Sequence, residues 1–155
     1  MKRLITYRKA HLCDIVLMQA LVKPEVDEGT ILVRSDDEIS TNIRSYILAF
    51  DEQELIGFAA LHIHTIALAE VRSLIVKDGY RDRKVGTALV NLCIDEGREL
   101  GLKEILSLTY MKTFFENLDF KEIPKESIPE HKIWADCIKC KHFPICNEVS
   151  LIKTL

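Results

Sequence analysis

Residues 69–90 read AEVRSLIVKDGYRDRKVGTALV, and this stretch decides the fold. Its first part contributes β-branched residues to a strand predicted from Ala67 to Lys77, which ends at the turn residues 78–80. Its last part begins an amphipathic helix, predicted from Val85 to Leu100 and ended by Gly101. The pattern is therefore a strand, a tight basic turn and a helix.

The basic turn has the chemistry of a pyrophosphate site. Free backbone N–H groups and the positive end of the helix dipole converge where the helix begins. Gly86 permits close approach of the backbone, and Thr87 carries a hydroxyl donor. Arg81, Arg83 and Lys84 add positive charge. By shape alone, a solvated turn before an ordinary helix explains the pattern equally well.

These residues resemble motif A of the GNAT superfamily of N-acetyltransferases, with Arg81 and Gly86 at the ends of the motif. The resemblance implies that the turn binds the pyrophosphate of acetyl-CoA and that the strand pairs with the pantetheine arm. The implied cofactor-binding residues are Leu74, Ile75, Val76, Arg81, Asp82, Arg83, Lys84, Val85, Gly86 and Thr87. Lys84 stands where the family usually has its first glycine. If that position needs a positive φ, lysine costs about 1 kcal/mol or more. We expect instead a near-helical backbone there, and phosphate binding that is weakened but not lost.

Residues 108–120, LTYMKTFFENLDF, resemble the second signature of the same family, with Asp119 in place of a glycine. The two signatures together extend the resemblance from Leu4 to Phe120. They imply an α/β (α+β) GNAT acyltransferase fold, in which a mixed, mostly antiparallel central sheet carries helices on both faces. We expect a single domain over residues 1–155, with a cysteine-containing extension over 125–155 packed on it.

The remaining elements follow from periodicity and turn residues. A first helix is predicted from His11 to about Val22 and is stopped by Pro24, and a capping box begins a short helix at Ser35. Other predicted segments are strands at Leu4–Arg8, Tyr46–Phe50, Glu54–Ile66 and Glu104–Leu108, an extended run at Thr30–Arg34, a helix at Met111–Leu118 and a final strand from Phe120.

Glu70 is the predicted general base, because it lies on the strand that leads into the turn. Ala69-Glu70-Val71 resembles the stretch that carries the catalytic glutamate in histone-modifying GNAT members. The alternative is a carboxylate paired with Arg72 on the same strand face. A backbone N–H near Leu74 or Ile75 would polarise the thioester carbonyl.

The general acid is less evident in this sequence. Many relatives use a tyrosine in the second signature, but Phe115 occupies the matching position. Tyr110 is the predicted substitute, with ordinary packing as its alternative. Solvent is a further proton source, because the reference thiol pKa is about 8.5.

Residues 25–35 and 70–74, EVDEGTILVRS and EVRSL, resemble segments of the short, kinase-less N-acetylglutamate synthases. The resemblance implies acetylation of the α-amino group of L-glutamate, the first step of arginine biosynthesis. Arg34 and Arg72 are the predicted substrate-binding residues, since a guanidinium matches a carboxylate in two hydrogen bonds. For Arg34, a surface charge beside Asp36 and Asp37 is the alternative. Without an amino-acid-kinase-like domain before Met1, we expect no arginine feedback through such a domain.

Residues 131–148 resemble a C-terminal stretch of the same synthases, with a Lys-x-Trp-x-Asp-Cys-x-x-Cys run. A minority alternative is tetrahedral zinc, which would stabilise a protein-interaction element. The zinc ligands would then be Cys137, Cys140, His142 and Cys146.

His62 and His64 alternate on a predicted strand. We expect their side chains to lie on one face of the sheet rather than to coordinate a metal.

The net charge of −3 and the pI near 6.0 argue against nucleic acid and anionic membranes as partners. Five cysteines, an odd number, suit a reducing compartment, and we expect a cytoplasmic protein.

The expected partners are acetyl-CoA and a small amino acid. The sequence leaves open whether the chain forms a homodimer. The alternatives are GNAT acetylation of another small amine or a protein N-terminus, and a non-catalytic CoA-binding regulatory module.

Overall fold

The computed structural model describes residues 4–127 and 148–155. The strands in these ranges are β1 (Ile5–Lys9), β2 (Tyr46–Asp51), β3 (Glu54–Ile63), β4 (Leu68–Val76), β5 (Glu104–Thr109), β6 (Lys121–Ile123) and β7 (Val149–Thr154). The α-helices are α1 (Ile15–Glu28), α2 (Asp36–Thr41), α3 (Val85–Leu100) and α4 (Lys112–Glu116). None of these helices is long and apolar enough to cross a membrane.

The strands form one sheet in the spatial order β1-β2-β3-β4-β5-β7-β6. Among the described strands, β4 and β5 are the one parallel pair. One face of the sheet packs against α3 through Val85, Leu89 and Cys93. The other face packs against α1 through Met18 and Val22. The predicted fold, a mixed and mostly antiparallel sheet with helices on both faces, is confirmed.

The first helix does not stop at Pro24, so that prediction is wrong. Helix α1 continues to Glu28 and ends at Gly29, whose φ of 80° is left-handed. A proline inside a helix costs about 3 kcal/mol, because it removes one hydrogen bond and crowds the preceding turn. The apolar stripe continues past Pro24, however, since Val26 packs against the same core as Val22. Packing therefore carries the helix to the glycine that caps it.

The segment before α2 and the last strand also differ from the sequence pattern. Thr30–Arg34 joins no strand in the described part of the chain. The predicted N-cap of α2 is confirmed, because Ser35 Oγ accepts a hydrogen bond from Glu38 N–H at 3.1 Å. Strand β7 was not predicted. It lies between β5 and β6 and pairs antiparallel with both.

Two irregularities of β4 create an opening in the sheet. Against β3, Phe58 pairs with Ile75 and Ala60 pairs with Arg72, so two residues of β4 face one residue of β3 in a β-bulge. Ser73, inside this bulge, has a φ of 59°. Against β5, the described pairing is limited to Leu68–Glu70 with Glu104–Leu106. The two parallel strands therefore diverge after Glu70.

Gly57 is required by the close approach of β3 to the bulged strand. A Cβ at this position would lie 2.8 Å from the backbone oxygen of Ile75. We expect Gly57→Ala to lower the free energy of unfolding by about 1–3 kcal/mol, because the backbone has to move. Urea denaturation measures the change. Gly86→Ala is the matched control, since its Cβ would make ordinary contacts of 3.5 Å, and equal stability of the two variants would contradict the prediction.

Candidate active site

A cavity of about 760 Å³ opens where β4 and β5 diverge. Its walls come from both strands, from the start of α3 and from residues 29–34. The predicted site residues that line it are Arg34, Glu70, Arg72, Leu74, Ile75, Val76, Arg81, Asp82, Lys84, Gly86, Thr87 and Tyr110. Two other predicted residues are placed elsewhere: the side chain of Val85 is fully buried in the core, and Arg83 is exposed and stacks over the Tyr80 ring at 5.3 Å.

The start of α3 forms one end of the cavity. The first hydrogen bond of the helix runs from Ala88 N–H to Lys84 O at 3.1 Å. The N–H groups of Val85, Gly86 and Thr87 therefore have no acceptor within the helix. Together with the positive end of the helix dipole, these donors fit the diphosphate of a coenzyme A molecule.

Lys84 does not have the near-helical backbone expected from the sequence. Its φ and ψ are 59° and 25°, which is left-handed, and it forms the junction between the 3-10 turn at Arg81–Arg83 and α3. The left-handed step reverses the chain so that the helix starts at the cavity. This conformation explains why glycine is usual here in the family, since a side chain in it costs about 1–2 kcal/mol.

Replacing Lys84 by glycine is expected to stabilise the protein. Lys84→Gly relieves the left-handed strain and should raise the free energy of unfolding by about 1 kcal/mol. Lys84→Ala, the matched control, also removes the charge but keeps a side chain in the same conformation. Denaturant titration of the three proteins checks this. Equal stability of the glycine and alanine variants would rule out backbone strain at this position.

Three side-chain contacts hold the turn in place, one of them partly buried and two exposed. The Tyr80 hydroxyl donates a hydrogen bond to Asp51 Oδ2 at 2.6 Å, and Asp51 is only 3% exposed. Arg81 Nε donates to Val76 O at 3.2 Å, and Arg81 Nη2 reaches Glu25 Oε1 at 3.4 Å. The turn is thus attached to β2, to the end of β4 and to α1.

Glu70 lies on the other side of the opening, at the last residue of β4 that pairs with β5. Glu70 lines the cavity although the residue is only 2% exposed. His64 Nε2 lies 2.9 Å from Glu70 Oε1. His62 is the cross-strand partner of Glu70, and its ring meets the His64 ring edge-on at 4.9 Å. The prediction placed both histidines on a strand, but β3 ends at Ile63 and His64 lies in the turn that follows. The contact between His64 and Glu70 was not predicted.

The bulge at Ser73 lies between the glutamate and the turn. A bulge takes backbone groups out of the regular ladder. The residues that follow it, Leu74 and Ile75, line the cavity. This is the position at which the sequence predicted a carbonyl-polarising N–H. The bulge itself could not be read from the sequence, because it depends on the register between two strands.

Arg34 and Arg72 converge near one buried tyrosine, Tyr46. Burial raises the pKa of Tyr46 above its ordinary value, while the positive charges of Arg72 and Arg34 lower it. The Arg34 side chain is only 10% exposed and its Nη1 lies 2.8 Å from Glu38 Oε2. Gln19 holds the segment in place by donating a hydrogen bond to Arg34 O at 2.8 Å. Arg34 is therefore not the surface charge that the alternative interpretation required.

Residues of the second signature line the same cavity or support it. Tyr110 lines the cavity and is 44% exposed. Phe115 is 2% exposed and packs edge-on against Phe114 and Phe120. Asp119 has a φ of 69°, which suits the glycine usual at this place. The zinc candidates Cys137, Cys140, His142 and Cys146 lie outside the described residues.

The chain matches the family described as Acetyltransferase (GNAT) over residues 13–120. It is 35% identical over 148 residues to an uncharacterized N-acetyltransferase of Chlorobaculum tepidum, covering 96% of this chain and 95% of that protein. It is 27% identical to an amino-acid acetyltransferase of Neisseria meningitidis, covering 81% of this chain but 29% of that enzyme.

Among solved structures, the N-acetylglutamate synthase from Neisseria gonorrhoeae complexed with coenzyme A and N-acetyl-glutamate has the same fold, with a TM-score of 0.87 and 23% identity. That comparison covers 100% of this chain and 36% of the synthase. Rv2747 from Mycobacterium tuberculosis, in complex with CoA, has a TM-score of 0.80 at 18% identity and covers 97% of this chain and 99% of that one.

Proposed function

The chain belongs to the acetyltransferase (GNAT) family, and we propose that it acetylates the α-amino group of L-glutamate, the first step of arginine biosynthesis. Acetyl-CoA is the cosubstrate. The observation that carries the choice of acceptor is the placement of Arg34 and Arg72 in the cavity that also holds Glu70. Two guanidinium groups beside one carboxylate suit an amino acid that carries two carboxylates of its own.

Glu70 acts as the general base in this proposal. Its carboxylate accepts a proton from the substrate ammonium group, directly or through one water, which leaves a neutral amine. A backbone N–H at the bulge, from Leu74 or Ile75, donates a hydrogen bond to the thioester oxygen and stabilises the negative charge that develops on it. The C–N bond then forms as the C–S bond breaks, and the acylated nitrogen releases its extra proton to solvent to give the neutral amide.

The departing thiolate needs a proton. Tyr110 lines the cavity and carries a suitable hydroxyl, so we assign it the role of general acid. Solvent is the alternative proton source. A thiol with a reference pKa of about 8.5 forms a stable thiolate, which can leave first and take its proton from water afterwards. Phe115 has no proton to give and serves packing.

Amino-acid specificity is supported by the arginines and by the relatives. Arg34 is held by Glu38 and by its own backbone contact with Gln19, which limits its conformational freedom before a substrate arrives. Arg72 is two residues beyond Glu70 on β4, so both side chains emerge on the same face. The amino-acid acetyltransferase of Neisseria meningitidis is similar over a span that includes most of this chain.

Thiol-release kinetics with acetyl-CoA and a panel of amines test the proposal. We expect L-glutamate to give the highest kcat/KM, with lower values for L-glutamine and L-aspartate and none for 2-oxoglutarate, which lacks the amine. Mass spectrometry should identify N-acetylglutamate. Faster acetylation of another amine or a peptide N-terminus would remove glutamate as the acceptor. CoA binding without turnover of any amine would instead favour the regulatory module.

A further inference from the structure

We propose that His64 is a positioning residue, which keeps the carboxylate of Glu70 ionised and oriented for proton abstraction. The inference rests on the proposed role of Glu70 as the general base. It adds to the site a residue from outside both family signatures. His64 belongs to the turn between β3 and β4, whereas the signatures cover residues 69–90 and 108–120.

The two side chains form a buried pair. His64 Nε2 is 2.9 Å from Glu70 Oε1, and the two side chains are 4% and 3% exposed. Because Glu70 also lines the cavity, one side of its carboxylate meets the imidazole while the residue borders the reaction space. An ionised carboxylate accepts hydrogen bonds and donates none, so when Glu70 is ionised the proton of this contact belongs to Nε2 of His64.

The turn that carries His64 is itself well held. His64 N–H and Thr65 N–H both donate hydrogen bonds to Leu68 O, at 2.9 and 3.0 Å. Thr65 Oγ1 accepts from the N–H groups of Ala67 and Leu68, at 3.2 and 3.0 Å. The His62 ring packs edge-on against His64 at 4.9 Å. The backbone and one side of the imidazole are thus fixed before any substrate binds.

A buried carboxylate tends to keep its proton, because burial penalises the charged form. A base that holds a proton at neutral pH cannot accept another from an ammonium group. A hydrogen bond donated to the ionised form has the opposite effect and favours the carboxylate. His64 can donate through Nε2 both in the neutral tautomer that carries its proton on Nε2 and in the protonated ring.

Other charged and titratable groups around Glu70 enter the same balance. Those that line the same cavity or the neighbouring strand include His62, Arg34, Arg72, Tyr110 and Glu148. In general, a nearby cation favours the ionised form of a carboxylate and a nearby anion opposes it. The contact that carries the inference is direct, since His64 Nε2 lies 2.9 Å from Glu70 Oε1.

The test is the pH dependence of kcat/KM in four proteins: the wild type, His64→Phe, His64→Asn and His64→Gln. The phenylalanine removes the donor, the asparagine is too short to reach Glu70, and the glutamine places an amide N–H at nearly the distance of Nε2. We expect the acidic limb to move upward by about one to two pH units in the first two variants, with about a 10–100-fold loss of kcat/KM below the limb. The glutamine variant should retain the wild-type limb, and KM for acetyl-CoA should not change in any of them.

Calorimetric binding of coenzyme A reports whether each variant is folded, and His64→Asn gives the answer if His64→Phe impairs folding. An unshifted acidic limb in a folded His64→Asn protein would overturn the inference. A purely structural role is also excluded by this design, since it would predict an equal loss at every pH and no rescue by glutamine. Full activity of Glu70→Gln would instead defeat the proposed base, and with it the premise of this inference.

Discussion

Glu70→Gln is expected to lower kcat for acetyl transfer by about 10²–10⁴-fold at neutral pH. The amide is close in size to the carboxylate but cannot accept the ammonium proton. The buried position of Glu70, at 2% exposure, leaves little room for solvent to replace it. Initial rates of thiol release at saturating acetyl-CoA measure the loss. Because the neutral amine is more abundant at high pH, the residual activity should rise as the pH is raised.

The control for this variant is Glu104→Gln. Glu104 is an exposed glutamate at the start of β5, outside the cavity lining. Its replacement should leave kcat and KM unchanged. Affinity for coenzyme A should stay at the wild-type value in both variants, because neither carboxylate is assigned to cofactor binding. Wild-type kcat in Glu70→Gln would show that another group takes the proton.

Arg72→Met is expected to raise KM for L-glutamate by about 10–100-fold, since a hydrogen bond to a charged group is worth about 1.5–3 kcal/mol. KM for acetyl-CoA should stay the same, because the arginine is assigned to the acceptor. Arg72→Lys keeps the charge but loses the planar fork, so we expect an intermediate value. Two-substrate kinetics measure both constants.

Arg98→Met is the matched control for the arginine variant. Arg98 lies on α3, where its side chain is 55% exposed beside Asp95. It should leave both KM values unchanged. If Arg72→Met instead raised KM for acetyl-CoA and left that for glutamate unaltered, the arginine would belong to the cofactor site and the choice of a dicarboxylate acceptor would lose its main support.

Local patterns were sufficient for the central part of the fold. Helix α3 spans Val85–Leu100, as its apolar periodicity and Gly101 predicted, because both signals lie within the helix or next to it. Strand β7 has no such signal. Its Val149–Thr154 segment is defined by pairing with β5, about forty residues earlier in the chain. The continuation of α1 past Pro24 is likewise a result of packing against a distant sheet.

The residues of the candidate site likewise separate into those that local sequence patterns predicted and those that only the folded structure brings together. Most predicted residues fall between Glu70 and Thr87, where one strand, one turn and one helix start bring them together without long-range information. Contacts that depend on the folded sheet escaped the sequence, including the hydrogen bond between Tyr80 and Asp51 and the contact of His64 with Glu70 across the β3–β4 turn. These contacts involve pairings that only the folded sheet defines.

Two departures from the family pattern share one physical feature. Lys84 and Asp119 stand where glycine is usual, and both have left-handed backbones with φ values of 59° and 69°. The chain therefore keeps the conformation that the glycine would adopt. It does so against the steric preference of an L-residue, whereas the sequence analysis expected a near-helical backbone at Lys84.

The most direct test of the account is amide hydrogen exchange of the wild-type protein with coenzyme A, and then with coenzyme A and L-glutamate together. Coenzyme A alone should slow exchange at residues 74–76 and 82–87, and glutamate should add protection around Arg34 and Arg72. Protection confined to other surfaces, or no change at saturating ligand, would contradict the assignment of the opening between β4 and β5 as the place where the acetyl donor and the amino acid meet.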